Sequence, residues 1–405
     1  MNRRQFLLAG GAFFCAGLTQ AAWKYLPDTG LTHPCHTGFP ESLREHPSWQ
    51  LLWQDIRPEQ VWDAHVHLVG VGDGSKQTWF NPAMDEWLHP QLKIQKSFYI
   101  NATCADPARI DETSVSRMDA LAQSLPAGMK LMLFAFDWHH DGQGKVSKQD
   151  SIFYISNHYA ASIAHRRPDR YEWVASIHPY REDAVDALTH AHAHGAKAIK
   201  WLPSGMGIDP ASAKCDAFYA KAANLGIPII SHTGKESAVP GGDQAFGNPL
   251  RMRRALDRGV KVILAHCASD GTDKDLDRGG REVRSFDLFS RLMESADYEG
   301  RLYGDISATT LINHAWVLPE LIQRQDWHPR LLNGSDYPLP GIMPLTNLNT
   351  LIANGWLSDT HKSFLIALKN HHPLLYDFAL KRLLVIHGQS FSPVVFETRH
   401  IFERT

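Results

Sequence analysis

Short apolar runs that end on polar residues recur along this chain, and between them lie segments whose apolar residues fall three or four positions apart. The first pattern predicts buried strands and the second predicts amphipathic helices, so their alternation predicts parallel βαβ units. Eight strands are expected, at Val61 to Leu68, Lys130 to Phe136, Trp173 to His178, Ala196 to Leu202, Pro228 to His232, Val260 to His266, Arg301 to Ser307 and Arg330 to Asp336. Helices are expected at Ile152 to Arg166, Arg181 to His194, Ala211 to Asn224, Leu250 to Arg258 and Ser285 to Ala296. Gly195, Gly226 and Gly259 stand just before the next strand, where a helix-stop glycine belongs. Eight strands with intervening helices favour an α/β fold of the (β/α)8, or TIM, barrel type over an open doubly wound sheet.

Two stretches depart from the alternation. The connection after the first strand, roughly 70–128, is far longer than an ordinary βα loop and carries an expected helix at Glu112 to Gln123. The tail beyond Pro340 holds expected helices at Lys362 to Leu368 and His372 to Leu384, which should pack on the barrel. The expected organisation is a signal-like segment at 1–25, an irregular lead-in at 26–55, the barrel at 56–340 and a helical extension at 341–405. Gly70-Val71-Gly72-Asp73-Gly74 mimics a dinucleotide loop, but it lacks a third glycine in register and a following helix, so that reading is discarded.

With 405 residues and 43% hydrophobic content the chain can bury a large core, and a net charge of −2 with interspersed signs argues against a nucleic-acid partner. The N-terminus, Met1-Asn2-Arg3-Arg4-Gln5-Phe6-Leu7-Leu8 followed by an apolar stretch, resembles a twin-arginine export signal. That resemblance implies contact with an export machinery and a periplasmic or exported protein. Phe14 before Cys15 argues against a lipoprotein, because a small residue is needed there. Cys35, Cys104, Cys215 and Cys267, an even number, are too sparse for a disulfide scaffold; free buried thiols are the default, and their disulfide state is left open by the sequence. Beyond the signal no apolar stretch is long enough for a stable membrane span.

The candidate chemistry begins at Asp63-Ala64-His65-Val66-His67. In an extended strand Asp63, His65 and His67 share one face, so two imidazoles converge. An HxH pair is weak evidence in a chain with 23 histidines. Further along, Lys200, His232, His266 and Asp336 each close a strand just before a loop, and such ends meet at the C-terminal mouth of a barrel, where barrel active sites form. Each alone has an ordinary structural explanation: a snorkelling lysine, satisfied core histidines, a capping aspartate. Six together at strand ends do not. Imidazole and carboxylate suit zinc or a similar divalent ion, and ligands spread over several strands leave positions open for water and substrate.

This set resembles the amidohydrolase superfamily over about 56–340, with HxH on the first strand, lysine on the fourth, histidines on the fifth and sixth, and aspartate on the eighth. Ile199-Lys200-Trp201-Leu202-Pro203, His232-Thr233-Gly234 and Gly334-Ser335-Asp336-Tyr337-Pro338 resemble the signatures of its amidohydrolase-related (amidohydrolase 2) branch. The resemblance implies a metal-dependent enzyme with one or two divalent ions. In the two-ion form His65, His67 and Asp336 hold one ion, His232 and His266 hold the other, and Lys200 bridges them as N6-carboxylysine. In the one-ion form His65, His67, His232 and Asp336 are ligands, Lys200 stays an amine, and His266 is free as acid or base. Asp336 is expected to move the proton of the attacking water to the leaving group.

Asp63 is expected below the histidines, as a group that orients them or simply as core polarity. The loops are expected to recognise a small-molecule substrate through Trp138, His139, His140, His178, Tyr180, Arg181, Trp201, Lys235, Glu236 and Tyr337. Asn370-His371-His372-Pro373 is not read as a second metal site, because adjacent histidines point in different directions. The functions left open are hydrolysis of an ester, lactone or amide, non-oxidative decarboxylation of a carboxylic acid, and non-catalytic binding by an exported protein.

Overall fold

The computed structural model describes residues 31–403 apart from 75, 238, 240 and 241. The expected signal at 1–25 and Cys15 lie outside the described residues. Eight parallel strands form the frame: β1 (Trp62–His67), β2 (Lys130–Phe134), β3 (Tyr171–Val174), β4 (Ile199–Trp201), β5 (Ile229–His232), β6 (Val262–Ala265), β7 (Leu302–Asp305) and β8 (Leu331–Leu332). β1 pairs with β2 and β2 with β3, while β4 through β8 pair in succession. Isolated parallel bridges join the two arcs, Ala175 to Ile199 on one side and Val66 to Tyr337 on the other. The chain has the TIM barrel fold.

Side-chain alternation sorts the strands into two apolar layers. Met132, Phe134, Ala198, Ile230, Ile263 and Ala265 fill the barrel interior, while Leu131, Leu133, Ile199, Trp201, Ile229, Val262 and Leu264 face the surrounding helices. Ile401 and Phe402, from the last turn of the described chain, belong to the interior group. Thr398 beside them donates its hydroxyl to the carbonyl of Trp62, at the start of β1. The tail therefore plugs the N-terminal end of the barrel.

Several expected elements shift for local reasons. The helix expected from Ile152 starts at Asn157, because Phe153–Ile155 pairs antiparallel with Thr78–Phe80 and Ser156 then caps the helix by accepting from the amide of Tyr159 at 3.0 Å. The lead-in is not wholly irregular: Glu41–Arg44 and Pro47–Trp53 are helical, and Pro47 occupies a first-turn position where its missing N–H costs nothing. The long insertion holds an unexpected helix α1 (Pro90–Thr103) before α2 (Ile110–Ser124). The glycine-rich loop is structural, since the Asp111 carboxylate accepts from the amides of Val71, Gly72 and Gly74. In the tail, α3 (Lys362–His371) and α4 (Pro373–Leu383) pack together on the barrel.

The default of free thiols holds for two of the four cysteines. Cys35 and Cys104 form a disulfide with Cα atoms 5.5 Å apart, which ties the lead-in to the C-terminal end of α1, while Cys215 and Cys267 are free and buried. Among the described residues no helix is long and apolar enough to cross a membrane.

Candidate metal centre

β1 does not alternate strictly. Trp62 and Ala64 belong to the interior layer but Val66 belongs to the outer one, and the pairing with β2 slips between Asp63 and Val66. A bulge of this kind re-aims the residues that follow it. It brings His65 and His67 together with their Nε2 atoms 3.2 Å apart. The expectation that Asp63 shares their face is corrected: its Oδ1 accepts from the amides of His65 (3.2 Å) and Ser335 (2.8 Å), joining β1 to the turn after β8. Burial pushes the Asp63 carboxyl up to about 7.

That turn places Asp336. A Cβ on Gly334 would stand 2.5 Å from the Cβ of His65, so only glycine lets this backbone lie against β1. Asp336 itself has a φ of 59°, and His266 after β6 has a φ of 58°. Non-glycine residues held in this region mark positions that the surrounding structure over-determines. Asp336 Oδ1 lies 3.3 Å from His65 Nε2 and 3.2 Å from His67 Nε2, and its Oδ2 lies 3.9 Å from His266 Nε2. Lys200 Nζ is 3.1 Å from His65 Nε2. His65, His67, Lys200, His232, His266 and Asp336 all line one cavity of about 570 Å³.

The outer nitrogens of the imidazoles are already committed. His65 Nδ1 donates to Asp305 Oδ2 at 2.5 Å, and His266 Nδ1 donates to the carbonyl of Ser307 at 3.1 Å. His232 Nδ1 faces Glu236 Oε2 at 3.3 Å. With Nδ1 carrying the hydrogen, each Nε2 presents a lone pair. His232 Nε2 is buried and has no hydrogen-bond partner.

Burial pushes all four histidines down, His232 to about 3, so they stand neutral. Burial raises the Asp336 carboxyl, but the neighbouring histidines outweigh it and hold the group well below the usual carboxylate range. Burial lowers Lys200 to about 8. Converging imidazole lone pairs, a carboxylate and an orphaned nitrogen fit a divalent cation, and the donors of His65, His67 and Asp336 lie within 4.8 Å of one another.

Of the residues expected to bind substrate, Lys235 and Glu236 line the cavity, whereas Trp138, His139, His140, His178, Tyr180, Arg181, Trp201 and Tyr337 are placed elsewhere. Trp138 stacks on Tyr154 at 4.2 Å, and His178 Nε2 donates to the carbonyl of Met206. Tyr180 bonds the backbone of Asp209, and Arg181 is held by Asp137 at 2.9 Å and Asp183 at 2.7 Å. Trp201 alternates with Lys200 and so is buried among the helices, donating to the carbonyl of Ile177. Tyr337 is buried beside the turn it follows.

Sequence reasoning missed three groups around the site. Asp305 ends the seventh strand as the other polar residues end theirs, so the same strand-end signal could have found it. Ser307 binds both Asp305 and the two Nδ1 atoms, with Oγ 3.0 Å from His65 and 2.9 Å from His266. Helix α1 places Gln91, Ile94, Gln95, Phe98 and Tyr99 on the cavity, at three- and four-residue spacing.

The amidohydrolase family profile matches residues 62–341. No curated protein sequence matches the chain significantly. Among solved structures, the apo IDCase of Metarhizium anisopliae is 13% identical, aligns over 84% of this chain and 96% of its own, and has a TM-score of 0.47. A Pseudomonas putida protein provisionally assigned as a 2-pyrone-4,6-dicarboxylic acid hydrolase is 15% identical over 75% and 93%, with a TM-score of 0.42. The 2,6-dihydroxybenzoate decarboxylase of Rhizobium is 13% identical over 72% and 97%, with a TM-score of 0.39.

Proposed function

This chain belongs to the amidohydrolase family, and from that premise we propose that it hydrolyses an ester, lactone or amide of a small organic substrate. It is a metal-dependent enzyme. The observation that carries the hydrolytic reading is a carboxylate, Asp336, set among neutral imidazoles at the wall of an open cavity.

His65, His67 and Asp336 hold the ion in this reading, with the buried Nε2 atoms of His232 and His266 facing the same space. Zinc suits this donor set. A divalent ion bound there supplies Lewis acidity and makes water acidic enough to attack near neutral pH. Asp336 Oδ1 is the oxygen nearest His65 and His67, which leaves Oδ2 to accept the proton of the attacking water and return it to the leaving group. Asp305, the carbonyl of Ser307 and Glu236 hold the imidazoles in the tautomer that this requires.

In the one-ion form of this reading Lys200 stays an amine, with its Nζ 3.1 Å from His65 Nε2. Intact mass of the metal-loaded protein tests this, and a carboxylated Lys200 would turn the reading to two ions. Hydrolysis is tested by assaying the metal-loaded enzyme on ester, lactone, amide and aromatic carboxylic acid panels, scoring acid and leaving group against released carbon dioxide. Carbon dioxide as the sole product would make the chain a decarboxylase.

Export is part of the same proposal. Arg3-Arg4 with the apolar stretch supports it, and so does the Cys35–Cys104 disulfide, since such bonds persist in oxidising compartments. Fractionation of the native host, with N-terminal sequencing of the mature chain, tests it. Full-length protein confined to the cytoplasm would overturn it.

A further inference from the structure

The cavity has an uneven composition. Phe80, Phe98, Phe136, Phe153, Leu311 and Ile342 supply much of its wall. Three of these rings form one continuous face, with Phe153 centred 4.1 Å from Phe136 and 5.8 Å from Phe80. Phe80 and Phe153 come from the strand pair Thr78–Phe80 and Phe153–Ile155, Phe136 bridges to Ile155 beside it, and α1 adds Ile94 and Phe98 to the wall.

The charges on the wall are equally informative. No arginine lines the cavity among the described residues, and its lysines are Lys200, inside the metal cluster, and Lys235, exposed at the rim. Glu236, Asp270 and Asp336 put three carboxylates on the same wall. Arg181, one of the loop residues expected to meet substrate, is paired with Asp137 and Asp183 and does not line the cavity. A charged group on the substrate that lay against the Phe80, Phe136 and Phe153 rings would meet apolar surface, since Lys235 at the rim is the exposed cation among the described lining residues. Burying an ion unpaired is strongly unfavourable.

We infer that this site selects an uncharged, hydrocarbon-rich carbonyl compound, whose carbonyl meets the histidine cluster while its apolar body lies along the Phe80, Phe136 and Phe153 face. The inference rests on the hydrolytic reading for its carbonyl, and on the cavity wall for everything else. A volume of about 570 Å³ sits within the range of roughly 300–1,000 Å³ that takes a drug-sized ligand. Dicarboxylates and small hydroxy acids are expected to bind less well than such a compound, because they cannot cover the apolar face.

The test uses the metal-loaded full chain and a series of 4-nitrophenyl esters from acetate to octanoate, with the half-ester of suberic acid as the charged counterpart of octanoate. kcat/KM is expected to climb roughly fourfold per added methylene until the cavity fills, and the suberate half-ester is expected to fall at least tenfold below octanoate. Ile94 is 41% exposed and lines the cavity, so Ile94→Lys adds a cation without disturbing the core. This variant is expected to narrow the gap between the two esters.

Turnover that is flat with chain length, or that favours the charged ester, would overturn the inference and leave hydrolysis standing. If no ester turns over, the ester form of the hydrolytic reading fails and the cavity is judged by thermal shift with octanamide and its ω-carboxylate analogue. Stabilisation by octanamide alone upholds the apolar selection, and equal or greater stabilisation by the carboxylate overturns it.

Discussion

His65 Nδ1 and Asp305 Oδ2 stand 2.5 Å apart with neither side chain reachable by solvent. Burial alone would raise the Asp305 carboxyl, but the histidine beside it outweighs that effect and holds it down at about 2, so the carboxylate is charged and the imidazole neutral. The pair fixes which nitrogen of His65 faces the cavity.

Asp305→Asn is therefore expected to weaken metal binding by about 10–100-fold while the fold persists. Competition with a chromogenic chelator measures the affinity, and far-UV circular dichroism checks the fold. An unchanged affinity would show that Asp305 does not orient His65.

Removing the metal should abolish activity and lower Tm together, because an ion that binds only the folded chain adds about 2.7 kcal/mol when present at a hundredfold over its dissociation constant. Dialysis against a chelator, followed by titration with zinc, reads both effects. His67→Ala should lose the zinc-dependent rise in Tm, and a variant that kept the rise would place the ion elsewhere.

The Cys35–Cys104 bridge spans a sequence separation of 69 residues, and the chain-entropy view of such a loop gives about 4 kcal/mol of stabilisation. Reduction, or the double variant Cys35→Ala with Cys104→Ala, should lower Tm and increase proteolytic cleavage within 31–104. Equal Tm values in reduced and oxidised protein would show that the bridge contributes nothing to stability.

His372 gives the chain a defined acid sensitivity. Its Nδ1 accepts from the amide of Leu375 at the start of α4, and its Nε2 donates to the carbonyl of Leu121 at 3.0 Å, so both nitrogens are engaged in the neutral form. Burial pushes it from 6.5 down to about 3. The unfolded chain therefore takes up this proton first. Stability is full above pH 6.5 and falls toward pH 3 by up to about 1.4 kcal/mol per unit. Denaturant unfolding at pH 7 and pH 5 measures the loss, and His372→Asn, which keeps a capping oxygen, should show a shallower decline. An identical decline in the variant would assign the acid sensitivity to other groups.

Much of this arrangement can be read in the chain before folding. The eight strands were legible because each is a short apolar run closed by a polar residue, and the polar residue is what the barrel mouth uses. The bulge in β1 was not legible, because Ala64 is small enough to face either layer and only the pairing with β2 shows which it takes. α1 escaped because its apolar residues serve two surfaces, Ile94 and Phe98 on the cavity and Leu92 against Val69, Phe80 and Met84. The loop aromatics misled because Trp138, Tyr180 and Trp201 satisfy local packing, and residue type alone does not separate a stacked ring from one that meets a ligand.

The tail changes what counts as the heritable unit. Lys381 of α4 donates to the carbonyl of Gly334 at 2.7 Å and pairs with Asp377, while Ile401 and Phe402 fill the far end of the barrel. The family profile stops at residue 341, yet the turn that carries Asp336 leans on side chains some forty residues later. Recombination that exchanged barrels at that boundary would exchange the ligands without their support. Selection on the metal site must therefore extend into sequence that carries none of its chemistry.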